Sequence, residues 1–276
     1  MKEVRLSMPI FHSLRSLQSS RFRLPTQSAE PEMSLLLRRG IKGLIAIGDP
    51  RQLPSVVSNR HLRSKGFAIS LFERLYEAGT PHTMLELQYR MAPSISAWPS
   101  TTFYEKKLVD ASSVRDAKRK PQWQLAKDAS TTSYGIINIP GSEEFVESTT
   151  SYRNLMEADV IVAYLKTLCQ HFAKIGQSGP VEIGCIAGYT EQVNLLKRKI
   201  GSLLPRAKFW ETKSRINRIQ IQVTAICVVT IDIASVDAFQ GQERDIILFA
   251  TTRANYQRNI GFLSEFGIIL GLCVIC

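Results

Sequence analysis

The chain has 276 residues, enough for one large or two modest domains, and 44% of them are hydrophobic, so it can bury a core. Its net charge of +11 favours a polyanionic partner such as nucleic acid. No apolar run reaches the ~18 residues of a membrane span, and the five scattered cysteines imply no disulfide framework.

The two ends of the chain carry weak signals. Residues 1–25 lack a core pattern, and we expect them to be poorly ordered. They are rich in Arg and Ser with Glu3 as the only acid, which is also the composition of a mitochondrial transit peptide, although a clean amphipathic period is missing. Cys273 and Cys276 have the spacing of zinc ligands, but no matching pair lies nearby, so we expect no metal site.

Short apolar runs alternate with helical patterns along the chain. Strands are predicted at residues 43–47, 84–87, 135–139, 181–187, 228–234 and 246–250. Helices are predicted at residues 26–39, 70–78, 93–104 with a break at Pro99, 152–172 and 190–200. Residues 111–129 are polar and basic, which predicts a surface excursion. This alternation indicates an α/β fold with a parallel sheet and right-handed crossovers.

Residues 216–229 depart from this pattern. They alternate between polar and apolar at first, so they could form an extra edge strand. They could equally be sequence that does not belong to the protein, such as a misread splice. The sequence alone is compatible with both interpretations.

In three blocks, polar residues come directly after an apolar run, and the first two blocks include the end of that run: residues 45–53 (IAIGDPRQL), 85–91 (LELQYRM) and 235–245 (SVDAFQGQERD). Polar residues just past parallel strands form the ligand sites of open α/β sheets. Small and amide-bearing residues also let backbone N–H groups approach an anion. Taken singly, each block could be a plain loop between core strands.

In this order, the blocks resemble motifs III, IV and V of superfamily 1 helicases. The likeness is greatest to the branch that acts in nonsense-mediated mRNA decay and to its senataxin-like relatives, and it runs from about Thr26 to Glu265. The resemblance implies RecA-like lobes, each a parallel sheet with helices on both faces. Residues 26–79 would be the last piece of the first lobe, and residues 80–276 most of the second.

The resemblance implies a nucleotide site for ATP with Mg²⁺, the cofactors of the full-length family. Gln52 would sense the γ-phosphate, and Asp49 would shape the turn that presents Gln52, although a plain turn-forming role also suits an Asp next to Pro. Arg90 would be an arginine finger from the second lobe, or else a surface arginine. The remaining implied nucleotide contacts are Tyr89, Gly241 and Glu243. We expect Gln52, Arg90 and Glu243 to point toward one cleft.

The resemblance also implies a site for single-stranded nucleic acid, with RNA favoured over DNA. Ser235 would bind a backbone phosphate, with Tyr189 and Thr190 nearby. The family shows Thr-Pro-Tyr where this chain has Ala187-Gly-Tyr, so one hydroxyl is missing. A basic run answered only by Glu211 indicates a phosphate footprint or a solvated face: Lys197, Arg198, Lys199, Arg206, Lys208, Lys213, Arg215 and Arg218. Protein cofactors of RNA decay would be further partners.

Several motor residues of the family are absent. No Gly-x-x-x-x-Gly-Lys-[Ser/Thr] phosphate loop occurs, and the positions of the acidic box hold Arg23 and Leu24. No arginine-rich motif VI follows Glu265, so we expect a truncated or mis-assembled copy of a longer helicase. Two functions stay open: the second motor lobe of an ATP-dependent helicase, inactive alone, or a non-catalytic nucleic-acid-binding or vestigial fragment. The expected location is the cytoplasm or nucleus rather than the mitochondrion.

Overall fold

The computed structural model describes residues 4–8, 22–23, 29–31, 33, 44–53, 55, 57, 59–115, 134–203, 208–212 and 215–264. Among these, the residues up to Arg115 form one compact unit, unit 1, and the residues from Tyr134 onward form a second, unit 2. In this described part of the chain, no helix is both long and apolar enough to cross a membrane.

Unit 1 contains a four-stranded parallel sheet in the order β2-β3-β1-β4. Its strands are β1 (Val4–Met8), β2 (Phe22–Arg23), β3 (Leu44–Ile47) and β4 (His82–Met84). The strands β1 and β2 are the described part of residues 1–25, for which poor order stays a prediction. The strand β1 lies between β3 and β4, and such non-local pairing is invisible in a local sequence pattern.

Two of the helices described in unit 1 were predicted from the sequence, at residues 70–78 and 93–104, whereas the short helices at residues 60–64 and 112–115 were not. The described helices are α1 (Arg60–Ser64), α2 (Leu71–Glu77), α3 (Pro93–Phe103) and α4 (Ser112–Arg115). The predicted break at Pro99 is wrong, because α3 continues through it. Proline removes one helical hydrogen bond, and the burial of Pro99 offsets that loss. The predicted helix 26–39 shows only Glu30, Pro31 and Met33 as helical within the described residues.

The predicted strand 84–87 is divided between two elements. Met84 ends β4, and Leu87 begins the short strand β5 (Leu87–Gln88), which pairs in parallel with β6 (Val109–Asp110). The polar excursion predicted after residue 111 begins with α4, and residues 116–129 lie outside the described part of the chain.

Unit 2 is built on a five-stranded sheet in the order β10-β11-β12-β9-β13. Its strands are β9 (Gly179–Ala187), β10 (Lys208–Glu211), β11 (Asn217–Thr224), β12 (Cys227–Ser235) and β13 (Ile246–Ala250). The strands β12, β9 and β13 are parallel, whereas β11 runs antiparallel to β10 and β12. Residues 216–229 therefore supply a strand of the sheet, with β10 rather than β11 at the edge.

Helices cover both faces of this sheet. The long helices α5 (Leu155–Lys174) and α6 (Thr190–Leu203) pack on the face that carries Ile183 and Ile231. On the opposite face, Phe239 of α7 (Val236–Phe239) lies over Gly184, where a Cβ atom would come within 2.9 Å of the ring. The predicted RecA-like α/β sheet with helices on both faces is confirmed.

One predicted boundary and one predicted strand in unit 2 are wrong. The hairpin of β7 (Glu144–Val146) and β8 (Ser151–Arg153) takes up the start of the helix predicted at residues 152–172, which begins instead after the cap Asn154. Residues 135–139 form no strand in the structure, and Ile136 is exposed rather than buried. Their apolar character therefore does not reflect packing within the described part of unit 2.

Candidate nucleotide and nucleic-acid sites

The loop after β3 is organised by the carboxylate of Asp49, which is buried. Its Oδ1 accepts a hydrogen bond from the backbone N–H of Arg51 at 3.0 Å. Its Oδ2 accepts from Gln52 Nε2 at 2.7 Å and from the Tyr104 hydroxyl at 2.5 Å. Asp49 therefore fixes both the backbone of this turn and the side chain of Gln52.

The loop after β5 is organised by Gln88, which is fully buried. Its Nε2 donates to the Met91 carbonyl at 2.8 Å and to Asp110 Oδ1 at 2.5 Å. Its Oε1 accepts from the backbone N–H groups of Arg90 at 3.0 Å and Met91 at 2.8 Å. The Gln88 amide thus fixes the backbone of a loop in which the Arg90 side chain is half-buried and the Tyr89 side chain is exposed. Sequence reasoning gave Gln88 no role, although its place beside Tyr89 and Arg90 was the available signal.

Helix α3 holds both loops. The hydroxyl of Ser96, in the first half of the helix, donates to Asp110 Oδ1 at 2.7 Å. The same oxygen accepts the hydrogen bond from Gln88 Nε2. Tyr104 at its C-terminal end reaches Asp49. The turns that carry Gln52 and Arg90 are thus fastened to one helix. Both residues lie in unit 1 and Glu243 lies in unit 2, and their common orientation toward one cleft stays a prediction.

In unit 2, three parallel strands end side by side. Ala187 of β9 is in register with Ser235 of β12 on one side and with Ala250 of β13 on the other. The segments that follow these strands therefore emerge at one edge of the sheet, which we call the carboxyl edge. It is the position at which open α/β sheets bind ligands.

Two hydroxyl groups predicted to bind nucleic acid lie at the carboxyl edge. Ser235 is half-buried and caps α7, with its Oγ accepting a hydrogen bond from the Ala238 N–H at 3.3 Å. Its hydroxyl hydrogen can still be donated, because a serine hydroxyl is both donor and acceptor. Thr190 is exposed and is the first residue of α6, where the helix dipole favours negative charge.

Tyr189 is held in place by Arg253, a residue that sequence reasoning missed. Arg253 Nη1 donates to the Tyr189 hydroxyl at 3.1 Å, and its guanidinium lies 4.1 Å from the centroid of the Tyr152 ring. Gly261 comes so close that a Cβ atom there would lie 2.3 Å from the Tyr189 hydroxyl oxygen. The signal for Arg253 was its position just past the apolar run of β13.

Glu143 completes this cluster. Its Oε2 accepts from Arg253 Nε at 2.8 Å, from the Ala254 N–H at 2.8 Å and from Asn255 Nδ2 at 2.9 Å. Burial acts to raise the pKa of Glu143, but these donors outweigh it and hold the pKa below its usual value. The hydrogen bond to Glu143 raises the pKa of Arg253 in turn. Both groups therefore stay charged at neutral pH.

A buried polar network fixes the segment after β13 to the starts of α5 and α6. Glu157 accepts from the Thr251 hydroxyl and from the Thr252 N–H, each at 2.7 Å. The amide of Gln192 accepts from the Asn154 N–H at 2.7 Å and donates to the Asn154 carbonyl at 3.1 Å. The carboxyl edge is therefore cross-linked by hydrogen bonds between segments distant in sequence.

Gly241 and Glu243 lie in the exposed connection between α7 and β13. Gly241 has a φ of +77°, a conformation that favours glycine. The neighbouring Arg244 turns inward and donates Nε to Oδ2 of the buried Asp232 at 2.8 Å, and its Nη2 donates to the same oxygen. Arg244, a residue of the motif, thus has a structural partner in β12.

The expectation that Glu211 is the only acidic residue that offsets the basic residues between Lys197 and Arg218 is wrong. Arg218 donates Nε and Nη2 to the two carboxylate oxygens of Asp232, each at 2.7 Å. Lys199 lies 2.5 Å from Asp159 on α5. Both acids are distant in sequence, which is why a local count of charges missed them. Lys197 and Arg198 remain exposed on α6.

No three His, Cys, Asp or Glu residues among those that the structure describes are grouped to hold a metal. The carboxylate of Asp49, which follows a strand of the sheet in unit 1, already accepts hydrogen bonds from three donors. The groups suited to phosphate oxygens in unit 1 are instead the Arg90 guanidinium and the Gln52 carboxamide.

The sheets, the crossover helices and the polar loops past the strand ends define a RecA-like α/β protein of the P-loop NTPase type. Residues 67–267 match the family described as "AAA domain", and the chain belongs to that family. The curated relatives place it among the superfamily 1 helicases, in the branch of the regulators of nonsense transcripts and the senataxin-like proteins.

Three relatives illustrate this placement. "Regulator of nonsense transcripts 1" of Dictyostelium discoideum is 34% identical over 89% of the chain. "Helicase sen1" of Schizosaccharomyces pombe is 31% identical over 87% of it. "Probable helicase MAGATAMA 3" of Arabidopsis thaliana is 30% identical over 87% of it. The chain spans only 17%, 13% and 26% of the lengths of these relatives, respectively.

Proposed function

We propose that the chain is a motor lobe of an ATP-dependent helicase that binds single-stranded nucleic acid, RNA in preference to DNA, in RNA processing or decay. The observation that carries the proposal is the register of β9, β12 and β13, which brings Tyr189, Thr190 and Ser235 to one edge of the sheet. The printed names of the relatives, which include regulators of nonsense transcripts, favour RNA. On this proposal the protein works in the cytoplasm or nucleus.

The chemistry of the carboxyl edge suits a phosphate backbone. Ser235 offers a hydroxyl hydrogen, and Thr190 offers a second hydroxyl at the positive end of α6. The exposed cations Lys197 and Arg198 lie on the same helix. Phosphate contacts of this kind position a strand without reading its sequence, which is what a translocating motor requires.

On the nucleotide side, we assign to this chain the residues that respond to the γ-phosphate. Gln52 would sense it and Arg90 would stabilise its charge, with Tyr89, Gly241 and Glu243 contacting the rest of the nucleotide. The lysine and hydroxyl of a phosphate loop are not in the sequence. That absence favours a second candidate, a non-catalytic nucleic-acid-binding protein, for the chain acting alone.

The test of nucleic-acid binding exploits the double role of Ser235. Asp and Asn both cap helices as well as Ser does, so Ser235→Asp keeps the cap while replacing a donor by a negative charge, and Ser235→Asn keeps both cap and donor. We expect Ser235→Asp to weaken binding of single-stranded oligouridylate by about tenfold or more, the value of one hydrogen bond to a charged group. Ser235→Asn should bind nearly as tightly as the parent chain, as measured by fluorescence anisotropy.

The matched control is Ser178→Asp, which makes the same charge change at an exposed residue just before the amino end of β9. It should leave the affinity within about twofold, because charges separated by more than a Debye length are largely screened. Equal weakening by the two Asp variants would show that net charge, and not the carboxyl edge, governs binding and would contradict the proposal.

A further inference from the structure

We infer that Tyr104 is a positioning residue for Gln52 and acts through the carboxylate of Asp49. The inference deepens the proposed function, since it rests on Gln52 being the residue that senses the γ-phosphate. Tyr104 itself lies outside the three motifs, and its role arises from a contact across 55 positions of sequence.

Gln52 and Tyr104 share one hydrogen-bond acceptor, the Oδ2 atom of Asp49. Asp49 Oδ2 accepts from Gln52 Nε2 at 2.7 Å and from the Tyr104 hydroxyl at 2.5 Å. The residues Asp49 and Tyr104 are each only 8% exposed, so little water competes for these bonds. With the carboxylate anchored by Tyr104, the orientation of the Gln52 carboxamide is determined. Without that anchor, only the Arg51 N–H on Oδ1 still ties the carboxylate to the backbone, so the carboxylate gains rotational freedom and the Gln52 carboxamide gains it too.

The Tyr104 hydroxyl remains a hydrogen-bond donor to Asp49. Burial, reinforced by the negative charge of Asp49, raises the pKa of Tyr104 above its ordinary value. The phenol therefore keeps its proton throughout the physiological range. Its hydrogen bond to a carboxylate is of the charge-assisted kind, which is stronger than a bond between neutral groups.

The backbone that follows Tyr104 is tightly constrained. Glu105 and Lys106, which follow it, adopt left-handed conformations with φ of 53° and 62°. The Lys106 N–H returns to the Ser100 carbonyl at 2.8 Å. Left-handed conformations of non-glycine residues cost free energy and persist where the surroundings enforce them, so this turn fixes the backbone at the end of α3, where Tyr104 lies.

Helix α3 connects Gln52 with Arg90 through hydrogen bonds at its two ends. Helix α3 is fastened at its other end through Ser96 and Asp110 to Gln88, and Gln88 holds the backbone of Arg90. A displacement of the Arg90 loop therefore reaches Gln52 through one rigid helix. The connection crosses residue 79, the predicted boundary between the two helicase lobes.

The experiment measures the side-chain amide of Gln52 by ¹H–¹⁵N NMR in the full chain, with the resonances identified from a Gln52→Ala variant. In Tyr104→Phe, we expect the Gln52 amide hydrogens to shift and to exchange with water about tenfold faster, the effect of losing one charge-assisted hydrogen bond that held the network. Asp49→Asn should produce the same shift. The Gln88 side-chain amide should stay unchanged in both variants.

The control is Ser100→Ala, which removes a hydroxyl from the same helix without touching Asp49. It should leave the Gln52 resonances in place. Unchanged Gln52 resonances in Tyr104→Phe would overturn the inference, and so would equal shifts at Gln52 and Gln88, because they would indicate general loosening. No nucleotide or nucleic acid is needed, so failure here is distinct from failure of RNA binding.

Discussion

Replacing Asp232 by asparagine is expected to destabilise unit 2 by about 3–5 kcal/mol, the cost of removing one partner from a buried ion pair. Asp232 is fully buried, and the side chain of Arg244 is only 7% exposed. Arg218 approaches the same carboxylate from β11. The asparagine would fit in the same space, but it would leave the Arg244 guanidinium buried with Glu182, at 3.6 Å, as its nearest remaining carboxylate.

The measurement is native-state amide hydrogen exchange, which separates the two units of the chain. Peptides of β9 and β12 should lose protection in Asp232→Asn, whereas peptides of α2 and α3 in unit 1 should not. The matched control is Asp159→Asn, the same change at the largely exposed pair with Lys199, with an expected effect below about 1 kcal/mol. A similarly small effect at Asp232 would contradict the view that the ion pair between Asp232 and Arg244 fastens residues 235–245 to β12.

The same carboxylate makes unit 2 sensitive to acid. Burial acts to raise the pKa of Asp232, but the hydrogen bonds from Arg218 and Arg244 outweigh it, so the pKa lies below its usual value. A group of this kind stabilises the fold above its unfolded pKa, and the contribution is lost as the pH falls through the folded value. We therefore expect the stability of unit 2 to decline below about pH 4, and less steeply in Asp232→Asn.

The second large effect is an absence of turnover. With Mg²⁺ and single-stranded RNA, we expect this chain alone to show no ATP hydrolysis above background, and Arg90→Ala to be indistinguishable from it. An arginine finger contributes about 10³–10⁵ in rate only when the phosphates and the metal are already held. The sequence has no phosphate loop, and Arg23 and Leu24 occupy the acidic-box positions.

The Arg90→Ala variant also serves as the control in the steady-state assay. A contaminating ATPase would give the same rate in both preparations. Robust turnover that disappears in Arg90→Ala would show that the chain holds a complete site without a phosphate loop or an acidic box, and the prediction of no hydrolysis would be wrong.

The sequence predicted those elements whose cause is local. The strands β9 and β12 are apolar runs because both of their faces are largely buried. The helix α2 begins after Ser70 because the Ser70 hydroxyl accepts a hydrogen bond from the Glu73 N–H and caps the helix. The motifs likewise placed Gln52 and Arg90 beyond the ends of strands and Ser235 at the end of one. Local patterning and motif spacing were sufficient for these features.

What the sequence did not reveal depends on pairing between distant residues. Glu143 and Arg253 are 110 positions apart, yet one oxygen of the former fixes the latter. The burial of Asp232 turned Arg218 from a candidate phosphate contact into a structural cation. The link from Tyr104 to Asp49 is of the same kind. In each case a charge or hydroxyl acquires its role from a partner that only the fold supplies.

The most direct test of the proposed nucleic-acid site is a ¹H–¹⁵N NMR titration of the full chain with single-stranded oligouridylate. Two glycines of unit 2 are natural reporters, since Gly188 directly follows the carboxyl end of β9 and Gly179 begins its amino end. We predict that the amides of Gly188, Thr190 and Ser235 shift on binding while that of Gly179 does not. Shifts confined to Gly179 and the neighbouring amino ends of the strands would contradict the account.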